Sequence, residues 1–174
     1  MVVRNVHERL IETPPGAGAG RGRELIDKLA SRDDVTWPRD RWPAMRFDRP
    51  LAVGAAGGHG PIRYFVEAYE RGRAVTFRFT GPRGFVGTHG FEVEETAGAG
   101  ATGGGATIRV RHTLSMETRG APRLTWPLLF RPLHDALVED ALDRAEGHCA
   151  ESPVARRSWS RRVRMLRRAA KLLG

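Results

Sequence analysis

His89 and His112 are the residues of this chain whose type and pattern best suit them to chemistry. Each stands on the apolar parity of a strand-like stretch: His89 with Phe91 and Val93, His112 with Val110 and Leu114. A hairpin closing symmetrically about residues 100–101 sets Val93 opposite Ile108, Phe91 opposite Val110 and His89 opposite His112. A slip of two residues makes the histidines diagonal neighbours but leaves both on the same face. Imidazole changes charge near neutral pH, and a polar group facing an apolar interior is costly unless hydrogen-bonded. The pair therefore has three candidate roles: structural rings satisfied by backbone, hydroxyl or water; polar contacts for a bound molecule; or a general acid and base.

Asp140 falls on the stripe of Leu133, Leu137 and Ala141. From there it can orient one of the histidines, pair with an inward Arg, or sit at the rim. His134, Asp135, Glu139 and Asp140 have the composition of a metal centre, but helical spacing turns Asp135 and Glu139 outward and Asp140 inward. They fit a solvated helical face, and neither a metal nor a cofactor is expected. The glycine-rich stretches around Gly57-Gly58-His59-Gly60 and Gly103-Gly104-Gly105 lack the Gly-Lys-Ser/Thr of a phosphate cradle and suit turns near a cavity mouth. Cys149 is alone, so an internal disulfide and a multi-cysteine zinc site are excluded.

The elements that must position these residues follow from periodicity. Residues 2–13 make an opening strand, residues 16–22 a loop, and Arg23 to Arg32 a helix through Leu25, Ile26 and Leu29. A short strand covers Arg46 to Val53. Period-two alternation then predicts strands over 62–68 (Ile62, Tyr64, Val66 and Ala68 on one face), 74–79 (Val75, Phe77, Phe79), 85–95 and 106–118. After Pro122 the period changes. Trp126, Leu129, Phe130, Leu133, Leu137, Ala141 and Ala145 describe a long amphipathic helix with Thr125 as its N-cap, and Pro132 either kinks it or marks where the regular helix begins.

A chain of 174 residues with 40% hydrophobic and 28% charged residues suits one soluble domain, residues 1–150, carrying a tail over 151–174. No stretch approaches a membrane span of about 20 apolar residues, and the opening residues lack a signal-peptide core, so the cytoplasm is the expected compartment. The net charge of +9 resembles a nucleic-acid footprint until it is located. Residues 153–174 hold eight basic residues and no acid, which leaves the body nearly neutral and makes nucleic acid an unlikely partner. In that tail Trp159, Val163, Leu166, Ala170 and Leu173 form one apolar stripe, among basic residues that include Arg157, Arg161, Arg162 and Arg168. Such a helix suits an anionic membrane surface, the inner face of the membrane included, or a protein partner, or docking on its own domain.

One apolar sheet face needs cover, and the last long helix has the matching stripe. In this order of elements the chain resembles the SRPBCC (START/Bet v 1-like) superfamily, in its polyketide cyclase/dehydrase-like branch. The stretches carrying the likeness are Val3 to Glu8, Gly60 to Tyr64, Gly87 to Val93 and Leu133 to Leu137. The resemblance implies an α+β helix-grip fold, a curved antiparallel sheet wrapped around a long C-terminal helix with an apolar cavity between them. It transfers no catalytic residue. The expected lining is Tyr64, Phe77, Phe79, His89, Phe91, Val110, His112, Leu114, Trp126, Phe130, Leu133 and Leu137. Binding of a hydrophobic small molecule, a lipid or a polyketide-like compound, is the leading expectation. The alternatives are a cyclase/aromatase-type enzyme using the histidines and a closed interaction module tethered by its tail.

Overall fold

The computed structural model describes residues 1–14, 20–97, 105–153 and 157–172, with backbone only for Ala97, Lys171 and Leu172. The expectations for the two glycine-rich loops (15–19 and 98–104), for Arg156 and for Leu173 lie outside these residues.

Seven strands form one antiparallel sheet: β1 (Val2–Glu12), β2 (Arg46–Phe47), β3 (Ala56–His59), β4 (Ile62–Glu70), β5 (Ala74–Gly81), β6 (Phe85–Ala97) and β7 (Ala106–Thr118). Their spatial order is β1-β7-β6-β5-β4-β3-β2, so the first strand closes one edge beside the last. Helix α1 (Arg21–Asp27) follows β1. The long C-terminal helix is continuous from Pro122 in three parts: α2 (Pro122–Thr125), a π-helical turn (Trp126–Phe130) and α3 (Arg131–Ala150). Helix α4 (Arg161–Leu172) ends the described chain. The architecture is the α+β helix grip expected from the sequence.

The core lies where the alternating strand residues meet the helix. Tyr64, Val66, Val75, Phe77, Phe91, Val93, Ile108 and Val110 pack with Leu137, Val138, Ala141, Leu142 and Ala145. A smaller cluster of Val3, Phe85, Leu114, Met116 and Trp126 takes Phe79 and Phe130 at its margin. Each fully buried large side chain contributes about 1.5–3 kcal/mol.

Five local features differ from the sequence expectation. The β6–β7 hairpin is slipped by two residues, pairing Phe91 with His112, Val93 with Val110 and His89 with Leu114. The glycine-rich connection over residues 98–105 is longer than the short hairpin loops whose turn type fixes the register. In β4 a bulge between Val66 and Ala68 reverses the parity. Ala68 is exposed in consequence, and Tyr69 packs on the core instead. Gly57 and Gly58 are strand rather than turn, because a Cβ on either would stand 1.9 Å from a carbonyl oxygen, of Arg46 or of Ile62. Of the strand expected over Arg46 to Val53 only β2 forms, and β3 begins beyond it at Ala56. Helix α1 stops at Asp27, and Ala30 adopts a left-handed φ of 61°.

The long helix begins at Pro122 rather than at Thr125, which makes no side-chain cap bond. Proline suits a first helical position because its missing N–H has no partner there. Pro132 falls further in, and its missing N–H leaves the preceding turn short of a donor. The chain responds with the π-turn, in which Arg131 N–H donates to Trp126 O. Arg162 of α4 supplies the replacement donor: its Nη2 reaches Leu128 O at 2.9 Å and Pro127 O at 3.4 Å.

Candidate functional site

Five imidazoles and one phenol run in file through the interior. His59 Nδ1 hydrogen-bonds with Tyr64 Oη at 3.0 Å, and the Tyr64 ring meets His89 edge-on at 4.9 Å between centroids. His89 lies 5.8 Å from His112, His112 lies 5.1 Å from His134, and His134 lies 6.0 Å from His7. Strand parity aims His89 and His112 inward, as the sequence predicts, and the register makes them diagonal neighbours. Phe77 and Phe79 flank His89, and Phe91 meets His112 edge-on. Of the apolar residues expected as lining, Tyr64, Phe77, Phe91, Val110, Leu133 and Leu137 fall in the main core cluster and Phe79, Leu114, Trp126 and Phe130 in the smaller one, with Phe79, Phe130 and Leu133 half-buried.

Burial sets the charge state of this file. It pushes His89 and His112 well below the ordinary imidazole value, and neighbouring imidazoles add to the shift. His59 is lowered to about 3, first by burial and then by His134 and Arg63. Burial raises the Tyr64 hydroxyl out of any working range. His59, Tyr64, His89 and His112, the inner members of the file, are therefore neutral. Three of the file's nitrogens, His89 Nε2, His112 Nδ1 and His134 Nε2, are enclosed without a hydrogen-bond partner among the described residues.

At the sheet edge the chemistry changes. The inward residues of β1 include Asn5, His7 and Arg9, which face Asp135, Glu139, Asp143 and Glu146 of α3. Two strand residues advance about 6.6 Å and four helical residues about 6 Å, so the two rows stay in step. Asp135 and Glu139 are therefore turned to β1 rather than into open solvent, a correction to the sequence reading. His7 Nδ1 lies 2.8 Å from Glu139 Oε1. Its Nε2 lies 3.3 Å from Asp135 Oδ1, and His134 Nδ1 lies 3.4 Å from the same oxygen. Hydrogen bonding to Asp135 raises the His7 pKa against the opposing effect of burial. Burial works to raise Asp135, but hydrogen bonds from His134 and His7 outweigh it and hold the carboxyl below its usual range.

Asp140 takes no part in the file. Its Oδ2 accepts from Trp42 Nε1 at 2.6 Å and from Trp159 Nε1 at 3.0 Å, and its Oδ1 from Arg41 Nη1 at 2.5 Å. It pairs with an Arg, one of the expected roles, but the partner comes from the loop before β2, and no histidine is oriented. Around it the Arg41 guanidinium lies 4.0 Å over Trp159, and that of Arg167 lies 4.1 and 4.0 Å over Trp42 and Trp159. The tail is thereby seated on its own domain. Val163 is buried, Leu166 is half-buried, Arg157 pairs with Glu139 and Asp143, and Arg161 and Arg168 face solvent. A cleft of about 180 Å³ adjoins this clamp, lined by Pro38, Asp40, Arg41, Asp140, Asp143, Arg144 and Gly147. It shares no residue with the expected lining, and no imidazole lines it.

No helix among the described residues is long and apolar enough to cross a membrane. No protein-family model and no curated protein matches the chain. Among solved structures, CalU16 from Micromonospora echinospora is 13% identical, with 98% of this chain and 91% of that one aligned at a TM-score of 0.47. XoxI from Bacillus cereus is 11% identical over 84% and 94% of the two chains, with a TM-score of 0.49. Ara h 8.0201 is 15% identical over 85% and 100%, with a TM-score of 0.42. The likeness to these structures is one of fold alone, and the helix grip itself is read from the chain's own sheet order and long helix.

Proposed function

We propose that the chain binds a small, largely apolar molecule between the curved sheet and the long helix, with His89, His112 and His134 as its polar contacts. The observation that carries this reading is the trio of enclosed ring nitrogens without a partner among the described residues. A buried polar group left unsatisfied costs about 1–3 kcal/mol, so three together favour an interior built to meet something that hydrogen-bonds. The flanking faces of Tyr64, Phe77, Phe79 and Phe91 suit an aromatic or lipid-like body. The depressed imidazoles stay neutral near pH 7, so neither supplies the imidazolium that a general acid–base pair needs, which favours binding. In this reading the tail is an intramolecular clamp. Attachment to an anionic membrane through its apolar stripe would first have to free Trp159 and Val163.

Native mass spectrometry of the purified protein tests the proposal, together with titration of the apolar fluorophore 1-anilinonaphthalene-8-sulfonate. The expected result is a non-covalent adduct or saturable fluorophore binding that His89→Leu and His112→Leu weaken. A spectrum free of adducts together with no saturable binding overturns it.

A further inference from the structure

We propose that His7, His134 and Asp135 form a three-ligand site for a divalent transition-metal ion of the zinc class. One ligand atom from each of these residues falls in a group whose members all lie within 4.8 Å of one another. The two shorter separations, 3.3 Å from His7 Nε2 and 3.4 Å from His134 Nδ1 to Asp135 Oδ1, are long for charge-assisted hydrogen bonds of about 2.7–2.9 Å. They match the edge of a tetrahedron whose bonds are about 2.0–2.1 Å, which is roughly 3.3 Å. Two of the three separations thus match a shared central ion, and the third, between the two histidine nitrogens, lies within 4.8 Å, so binding would draw the rings together.

The surroundings fit the same chemistry. Glu139 Oε1 stands 2.8 Å from His7 Nδ1, the carboxylate–imidazole arrangement that fixes the tautomer and leaves the Nε2 lone pair for a metal. Glu139 is itself held by Arg9 Nη2 at 3.0 Å and Arg157 at 3.2 Å. Asn5 Nδ2 donates to Asp135 Oδ1 at 2.9 Å and steadies the carboxylate. Both imidazoles are shielded, at 14% and 15% side-chain exposure, whereas Asp135 is 36% exposed, so a fourth position opens to solvent. Two nitrogens and one oxygen favour zinc over calcium or magnesium, which take oxygen ligands. The site uses His134 Nδ1, whereas the small-molecule reading uses Nε2, so the two stand or fall separately.

The test is titration of the chelator-stripped full chain with Zn²⁺ against a chromophoric chelator, repeated with Co²⁺ to read coordination from its visible absorption. Expected are one ion per chain and a tetrahedral Co²⁺ spectrum. Asp135→Asn and His7→Gln should weaken binding by at least about 100-fold, and Glu139→Gln by about 10–100-fold. Because a variant can fail to fold, long-range ¹H–¹⁵N correlation of the histidine rings in the wild-type chain supplies an independent reading. Zn²⁺ should move His7 Nε2 and His134 Nδ1 and leave His148 in place. Absence of stoichiometric binding, shifts confined to other histidines, or unchanged affinity in a folded Asp135→Asn chain overturns the proposal.

Discussion

Arg9 Nη2 donates to Glu139 Oε2 at 3.0 Å, fastening the edge strand β1 to a helix 130 residues further along the chain. The same guanidinium reaches Asp143 at 3.0 Å and bonds Glu146, so one side chain spans two turns of α3. Arg9 is 15% exposed, and its carboxylate partners range from 10% to 36%. The network is therefore partly screened, and its worth falls between that of a surface pair and that of a buried one. Arg9→Leu should cost about 1–3 kcal/mol in urea denaturation, with a smaller penalty in high salt. An unchanged midpoint would show that the network contributes nothing to stability.

Asp140 holds one carboxylate against two indoles and a guanidinium, and it is almost fully enclosed. Removing it leaves Arg41 without its counter-charge and two buried N–H groups without an acceptor. Asp140→Ala is expected to lose about 3–5 kcal/mol and to expose the Arg-rich tail to trypsin. Trp159→Phe keeps an aromatic face but loses the indole donor to Asp140, at about 1 kcal/mol. Equal proteolysis of the wild-type and Asp140→Ala chains would show that the clamp does not hold the tail.

The neutral inner imidazoles predict acid sensitivity. In the unfolded chain each histidine titrates near its ordinary value of about 6.5, whereas in the folded chain His59 waits until about 3 and His89 lies well below its ordinary value. Protons therefore bind the unfolded chain first as pH falls. The stability contributed is fully present above about pH 6.5 and is lost below it, at up to about 1.4 kcal/mol per pH unit for each histidine. Urea midpoints at pH 7 and pH 5 should differ less for His89→Leu than for wild type, and equal differences would refute the assignment.

Much of the grip was legible because period two and period 3.6 are strong signals over long stretches. Val75, Phe77, Phe91 and Val110 declared their face in this way, and so did His89 and His112. Register was not legible, since a two-residue slip preserves every parity. The bulge that brings Tyr69 inward has no local signature. His7 was passed over because it is polar in a mixed strand. Asn5, His7 and Arg9 at spacing two, with Asp135, Glu139 and Asp143 at spacing four, are the signal that would have paired them. Asp140 was rightly placed among apolar neighbours, but its partners Trp42 and Trp159 come from irregular segments that periodicity cannot orient.

The Arg162 bonds to Pro127 O and Leu128 O have a consequence for where the foldable unit ends. A fragment stopping at residue 150 would surrender the donor that compensates for Pro132, and with it all three of the guanidinium–indole stacks described above and one indole bond to Asp140. The defect would appear at the start of the long helix and in its middle, far along the chain from the cut. Shortening this protein from its C-terminus would therefore act as a lesion of the interior.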